Sequence, residues 1–287
     1  FMRILVTGRN GQLGSELKSF SSIYNNFEWI FTDVNEFDLT DIKKIYFNTT
    51  VIKPDIIINC AAYTNVDKAE SEEELATLIN FNAVDLLSKW SASNKCKLIH
   101  ISTDYVFDGN SSVPLTENAK TSPINMYGKT KLKGEKICIN NDPNCIIIRT
   151  SWVYSSYGKN FVKTIFSLMN KKESLNIIDD QIGSPTYAND LAETIINIIN
   201  FKDWIPGLYH YSNEGEVSWF DFAKSIKKYF GFNTNINGIS SDNYPTPAKR
   251  PRYSLLDKSK IKSTFNIKVP FYENSLEKCI KILKDES

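Results

Sequence analysis

"RILVTGRNGQLGSELKSF", residues 3–20, decides the fold. A short apolar, β-branched run stops at Gly8, and helical periodicity starts at Gly11 and continues to Phe20. Gly8, Gly11 and Gly14 form a G-x-x-G-x-x-G turn between the two. Glycines there permit a tight strand-to-helix turn and let the backbone approach a pyrophosphate held at a helix N-terminus. The spacing differs from G-x-G-x-x-G, so the turn alone is a weak fingerprint. Its setting strengthens it. Asp33 closes a second strand-like run, "EWIFTD" (28–33), 33 − 14 = 19 positions on, where an acidic side chain accepts from adenosine ribose hydroxyls. Arg9 pulls the other way: a cation in the glycine loop suits the 2′-phosphate of NADP, which Asp33 repels, so NADPH and NADH both stay open.

Outward from this turn, strand and helix keep alternating. "DIKKIYFNTTVI" (41–52) reads as a helix and "PDIIINCAA" (54–62) as a strand buried on both faces. An S-x-x-E capping box at Ser71–Glu74 predicts one long helix to about Asn94. "KLIHIS" (97–102), a helix over 127–139 and "NCIIIRTS" (144–151) follow. This order predicts an α/β protein with a Rossmann-type doubly wound parallel sheet and a smaller C-terminal substrate-binding lobe. The expected division is a dinucleotide-binding domain over 2–151, with parts of 180–212 returning to it, and a mainly substrate-binding lobe over 152–287. In the later part, 160–170, 187–200, 218–230 and 273–284 read as helices and "GLYHYS" (207–212) as a strand.

The 287 residues carry a formal charge of +1 and are 41% hydrophobic, which leaves no basic footprint for nucleic acid. No apolar run approaches the ~20 residues of a membrane span, and no secretory leader is apparent. Met2, after a lone Phe1, reads as the native start. Five cysteines without a regular spacing read as free thiols in a reducing cytoplasm. His100 and His210, the only histidines, read as structural, and no metal site is expected.

The chemistry gathers near "ISTDYVFDG" (101–109) and "YGKTK" (127–131). Tyr127 and Lys131 stand one helical turn apart, so their polar ends share a face. Thr103 ends a strand on the carboxyl edge where open α/β sheets bind ligands. A phenol of ordinary pKa ~10 is a poor acid–base group at neutral pH, and a nearby ammonium together with a bound oxidised nicotinamide is expected to lower it. The trio suits protonation of a ketone oxygen as a nicotinamide delivers hydride to its carbon.

Together with "AAYTNVDKAE", "SPINMYGKTKLKGE", "RTSWVY", "DDQIGSPT" and "PTPAKRP", these motifs resemble the extended short-chain dehydrogenase/reductase family over nearly the whole chain. Within it they are similar to the branch that reduces the C4 keto group of dTDP-4-dehydro-L-rhamnose in cell-surface polysaccharide synthesis. The resemblance implies a catalytic Thr103, Tyr127 and Lys131, with Gly8, Gly11, Gln12, Leu13 and Gly14 under the pyrophosphate. Asp33, Asp38 and Leu39 are expected to face the adenosine, with Ala62, Tyr63 and Thr64 along the cofactor. Thr103 and Asp104 are expected to touch the dTDP-sugar, and Trp152 either flanks that cleft or is core. Arg250, between prolines in "YPTPAKRP" (244–251), is the candidate partner of the substrate pyrophosphate. Some relatives form magnesium-bridged dimers through glutamates. Glu16 matches, but Asn189 stands where a second carboxylate is expected, so a homodimer is left open without a metal. Dehydratases of the family carry Asp-Glu after the threonine. Here Tyr105 follows Asp104, which favours simple reduction. Epimerisation is the alternative chemistry, and a non-catalytic NADP-binding regulatory subunit, like that of methionine adenosyltransferase, is the alternative class.

Overall fold

The computed structural model of the chain describes residues 1–285. Strand β1 (Met2–Thr7) passes through the glycine turn into helix α1 (Gln12–Ser21), followed by β2 (Phe27–Thr32), α2 (Ile42–Ile52) and β3 (Ile56–Asn59). Two short helices, α3 (Val66–Ala69) and α4 (Glu73–Thr77), lead into α5 (Ala83–Asn94). Then come β4 (Lys97–Thr103), α6 (Met126–Asn141), β5 (Ile146–Thr150), α7 (Phe161–Met169), β6 (Ser174–Ile178), α8 (Ala188–Asn200) and β7 (Gly207–His210). The chain ends with α9 (Trp219–Phe230), β8 (Asn235–Ile239), α10 (Ser259–Phe265) and α11 (Tyr272–Asp285).

Six strands form one parallel sheet in the order β7-β5-β4-β3-β1-β2. Its central strands are buried on both faces, with Ile4–Val6, Ile56–Ile58 and Ile146–Ile148 fully shielded, as the consecutive apolar runs predict. One face packs against α1, α8 and α10 through Leu17, Leu191, Ile195 and Phe265. The other packs against α2, α5 and α6 through Ile45, Leu87, Trp90 and Cys138. Chain order reverses between β1 and β3, so a crevice opens beyond their carboxyl ends. The buried members of a separate aromatic-rich cluster all come from Tyr154 onward, including Val162, Phe222, Ile226 and Leu276, with Trp152 packed against it. Beside it β6 and β8 pair in parallel. Neither this pair nor α10 was legible as an element in the sequence.

The long helix expected from Ser71 to Asn94 is interrupted. Ser71 Oγ donates to Lys68 O at 3.1 Å and closes α3, and no side chain caps α4 at Glu72. A π-helical turn, Leu78–Asn82, separates α4 from α5. That turn rotates Asn80 inward. Its Nδ2 donates to Tyr63 O at 3.0 Å and Thr130 Oγ1 at 3.1 Å, and its Oδ1 accepts from Tyr63 N at 2.9 Å. Hydrophobic periodicity carries no signal for one extra residue in a turn.

Candidate active site

The glycine turn is a cradle. Gly8 has φ +70°, a left-handed conformation that glycine adopts at no cost. A Cβ on Gly14 would stand 2.2 Å from Gly8 O, so α1 could not start so close to β1 with any side chain there. Gly11 is the N-cap of α1 and offers no side-chain cap, which leaves the first helical N–H groups free to meet an anion. In front lies a cavity of about 690 Å³. Asp33 stands on its wall with Oδ2 accepting from Asn10 N at 2.8 Å and Oδ1 from Val34 N at 2.8 Å.

The same cavity runs to the head of α6. Asn125 caps that helix, its Oδ1 accepting from Gly128 N at 2.7 Å, while Glu70 Oε1 accepts from Met126 N at 2.7 Å. Gly128 lets α6 lie against the Tyr105 carbonyl, which a Cβ would meet at 2.1 Å. Tyr127 packs edge-to-face on Tyr105, with centroids 5.6 Å apart. One turn on, the buried Lys131 donates from Nζ to Ile101 O at 2.6 Å. Thr103 Oγ1 accepts from Tyr105 N at 3.2 Å and donates to Asp104 Oδ1 at 3.1 Å. Asp104 Oδ2 in turn accepts from Ser254 Oγ at 2.6 Å, which joins this strand end to the C-terminal segment.

Burial dominates the electrostatics here. It pushes the Tyr127 phenol up to about 12, against the Thr103 hydroxyl, which favours the phenolate. Desolvation dominates here and no help from the Lys131 ammonium offsets it, since its Nζ is turned to a backbone carbonyl. Burial brings Lys131 down to about 8, with Glu135 the strongest charge resisting the fall. Glu135 is gripped by Arg149 Nε at 2.8 Å and Nη2 at 2.6 Å, and by Ser102 Oγ at 2.5 Å. Asp104 rises to about 6 through burial, opposed by its hydrogen bonds to Ser254 and Thr103.

Gly8, Gly11, Gln12, Leu13, Gly14, Asp33, Ala62, Thr64, Thr103, Asp104, Tyr127, Lys131 and Trp152 all line the one cavity. Trp152 is both wall and packing, since its ring stacks on Trp219 at 3.6 Å with an 8° tilt. Five expected residues stand elsewhere. Arg9 is ion-paired with Glu36 at 2.9 Å. Leu39 is buried in the core under α2, and Asp38 turns back to accept from Thr40 N and Oγ1 at 2.9 and 2.7 Å. Tyr63 points its hydroxyl to Glu72. Arg250 spends its guanidinium fork on Asp67, at 3.0 and 2.8 Å, so it meets a carboxylate of α3 where a pyrophosphate was expected.

Asn80, Glu135 and Asp67 escaped sequence reading. Glu135 alone had a usable signal: it lies four residues after Lys131 on the same helix face. His100 faces Asn59 at 3.1 Å and His210 is buried between Leu115 O and Arg149, both inside the packing. None of the five cysteines is in a disulfide.

The sequence matches the RmlD substrate-binding-domain family over residues 2–285. The chain belongs to the RmlD family. Among relatives, the dTDP-4-dehydrorhamnose reductase of Sinorhizobium fredii is 39% identical over 288 residues, covering 97% of both chains. The Bacillus subtilis spore coat polysaccharide biosynthesis protein SpsK is 38% identical over 255 residues, covering 88% of each. The crystal structure of a dTDP-4-dehydrorhamnose reductase from Bacillus anthracis in complex with NADP superposes with a TM-score of 0.93 at 37% identity, covering 97% of this chain and 98% of that one. The family match, over residues 2–285, spans the glycine cradle and the Tyr127–Lys131 helix alike. Among the described residues of this RmlD-family chain, no helix is long and apolar enough to cross a membrane.

Proposed function

We propose that this chain reduces the C4 keto group of dTDP-4-dehydro-L-rhamnose to give dTDP-L-rhamnose, with NADPH or NADH as the hydride source and Tyr127 as the proton donor. One observation carries the reading: a single cavity joins the side-chain-free cradle of α1 to Thr103, Tyr127 and Lys131. The cradle fits a dinucleotide, because Gly14 lets α1 start hard against Gly8 at the end of β1 and the uncapped N–H groups of its first turn are left as donors for a pyrophosphate. The bound nicotinamide supplies the hydride that reaches C4. Tyr127, held protonated by burial, passes its proton to the C4 oxygen as that oxygen gains charge, and solvent then restores the phenol. Thr103 turns its one hydroxyl proton from Asp104 to donate a second hydrogen bond to the same oxygen, and Lys131 holds the nicotinamide ribose. Asp104 and Trp152 bound the sugar side, and Gln12, Leu13, Ala62 and Thr64 the cofactor side.

In this reading residues 2–151, with parts of 180–212 returning to them, bind the dinucleotide and the rest of the described chain mainly the dTDP-sugar, in a reducing cytoplasm suited to five cysteines without a disulfide. The reading leaves a homodimer open, without a metal bridge through Glu16. Glu16 is turned inward, with its oxygens accepting from Ser155 Oγ at 2.6 Å and Asn189 Nδ2 at 2.8 Å. The decisive experiment incubates the chain with dTDP-4-dehydro-L-rhamnose and either nucleotide, following loss of the reduced nicotinamide absorbance and identifying the sugar by mass and NMR. Absence of turnover with both nucleotides refutes the proposal.

A further inference from the structure

Glu36 lies in the turn after β2, beside the acidic wall of the cavity, and both of its oxygens are engaged. Oε1 meets Arg9 Nη2 at 2.9 Å, and Oε2 accepts from Asp33 N at 3.1 Å. The turn fixes its backbone, since Glu36 N and Phe37 N both donate to Asp33 O, at 3.1 and 2.7 Å. Arg9 is anchored as well: its N donates to Thr32 O at 3.0 Å and its O accepts from Ser15 Oγ at 3.1 Å. The one cation of the glycine loop is thus already paired, while Asp33 remains on the cavity wall.

We propose that Glu36 is a specificity-determining residue that masks Arg9 and tilts dinucleotide choice toward NADH and away from the 2′-phosphate of NADPH. The proposal rests on the reading of the cavity as a dinucleotide site. A phosphate monoester carries about −1.5 to −2 charge at neutral pH. Asp33 and Glu36 present two negative charges to it, and Arg9 returns only one positive charge. A guanidinium is a good receiver for phosphate, and what withholds it here is the carboxylate beside it. The pair is one-third exposed at Arg9 and 44% exposed at Glu36, so the mask is partial and sensitive to salt.

The test is direct binding without sugar. Dissociation constants for NADH and NADPH are measured by calorimetry on the full chain, on Glu36→Gln, on Arg9→Gln and on the double variant. In the native chain NADPH is expected to bind no more tightly than NADH. Glu36→Gln is expected to tighten NADPH about fivefold while NADH stays within about twofold, and raised salt is expected to shrink that gain. The gain is expected to vanish when Glu36→Gln is made on Arg9→Gln. An unchanged NADPH-to-NADH ratio in Glu36→Gln, or an equal gain without Arg9, overturns the proposal, as does a native chain that binds NADPH about tenfold more tightly than NADH. A chain that binds neither dinucleotide overturns the reading of the cavity along with it.

Discussion

Tyr127 and Lys131 share a helix face, and burial drives them in opposite directions: the phenol up to about 12, the ammonium down to about 8. At neutral pH the phenol is therefore an acid ready to donate, which suits reduction. Tyr127→Phe keeps the ring on Tyr105 and removes only the proton, so dinucleotide affinity is expected to hold while kcat falls ~10²–10⁴-fold. Stopped-flow turnover beside a binding isotherm checks this, and a near-native kcat contradicts it. Lys131 makes a separate prediction about pH. As pH rises through about 8 its ammonium is lost, and dinucleotide affinity is expected to fall with it, a step that should be missing in Lys131→Met. The sign for stability is the reverse. The unfolded lysine keeps its proton to ~10.4, so between about 8 and that value the unfolded chain binds more protons, and stability rises with pH. Lys131→Met should flatten that rise in melts taken across the window.

At the scale of elements, the junction of β1 with α1 depends on absent side chains. Gly14→Ala places a methyl 2.2 Å from Gly8 O and 2.7 Å from Arg9 Cα, a clash with backbone that no rotamer relieves. The helix must pull away from the strand, closing the cradle. Dinucleotide binding is expected to be lost, with a destabilisation of ~1–3 kcal/mol, typical of overpacking. Isothermal titration and a denaturant melt read the two effects separately, and tight binding by the variant contradicts the assignment of the cradle. The α4–α5 region shows the same dependence on close approach. A Cβ on Gly134 would meet Asn80 O at 2.2 Å, so the π-helical turn and α6 fit only because residue 134 is glycine.

Across the whole molecule, α3 ties the sheet side to the loop that carries Arg250. Asp67 holds the Arg250 fork and also accepts from Ala248 N at 3.2 Å, while Asn125 Nδ2 at the head of α6 donates to Lys249 O at 2.8 Å. The Asp67 carboxyl is held below its usual range, chiefly by its hydrogen bond to Arg250. Asp67→Asn weakens this latch without emptying it. The expected outcome is a several-fold rise in KM for the dTDP-sugar, with KM for the dinucleotide unchanged, because Arg250 also meets Tyr105 beside Tyr127 on the cavity wall, while the glycine cradle is left intact. Steady-state kinetics with each substrate varied in turn checks this, and an equal rise in both constants contradicts it.

The sequence by itself determined the parallel sheet, the glycine cradle with Asp33, and the Thr103–Tyr127–Lys131 constellation. These rest on short-range rules: doubly buried strands read as unbroken apolar runs, a strand-to-helix turn needs glycine, and one helical turn is four residues. Only the tertiary structure decided which charges are free. Arg9 and Arg250 look identical to unpaired cations along the chain, yet Glu36 is 27 positions from Arg9 and Asp67 is 183 from Arg250. It decided likewise that burial, rather than the neighbouring ammonium, governs Tyr127, and that Asn80 turns inward. Partners of that kind are chosen by folding in three dimensions, because desolvation and ion pairing depend on what surrounds a group in space and leave no periodic trace in the order of residues.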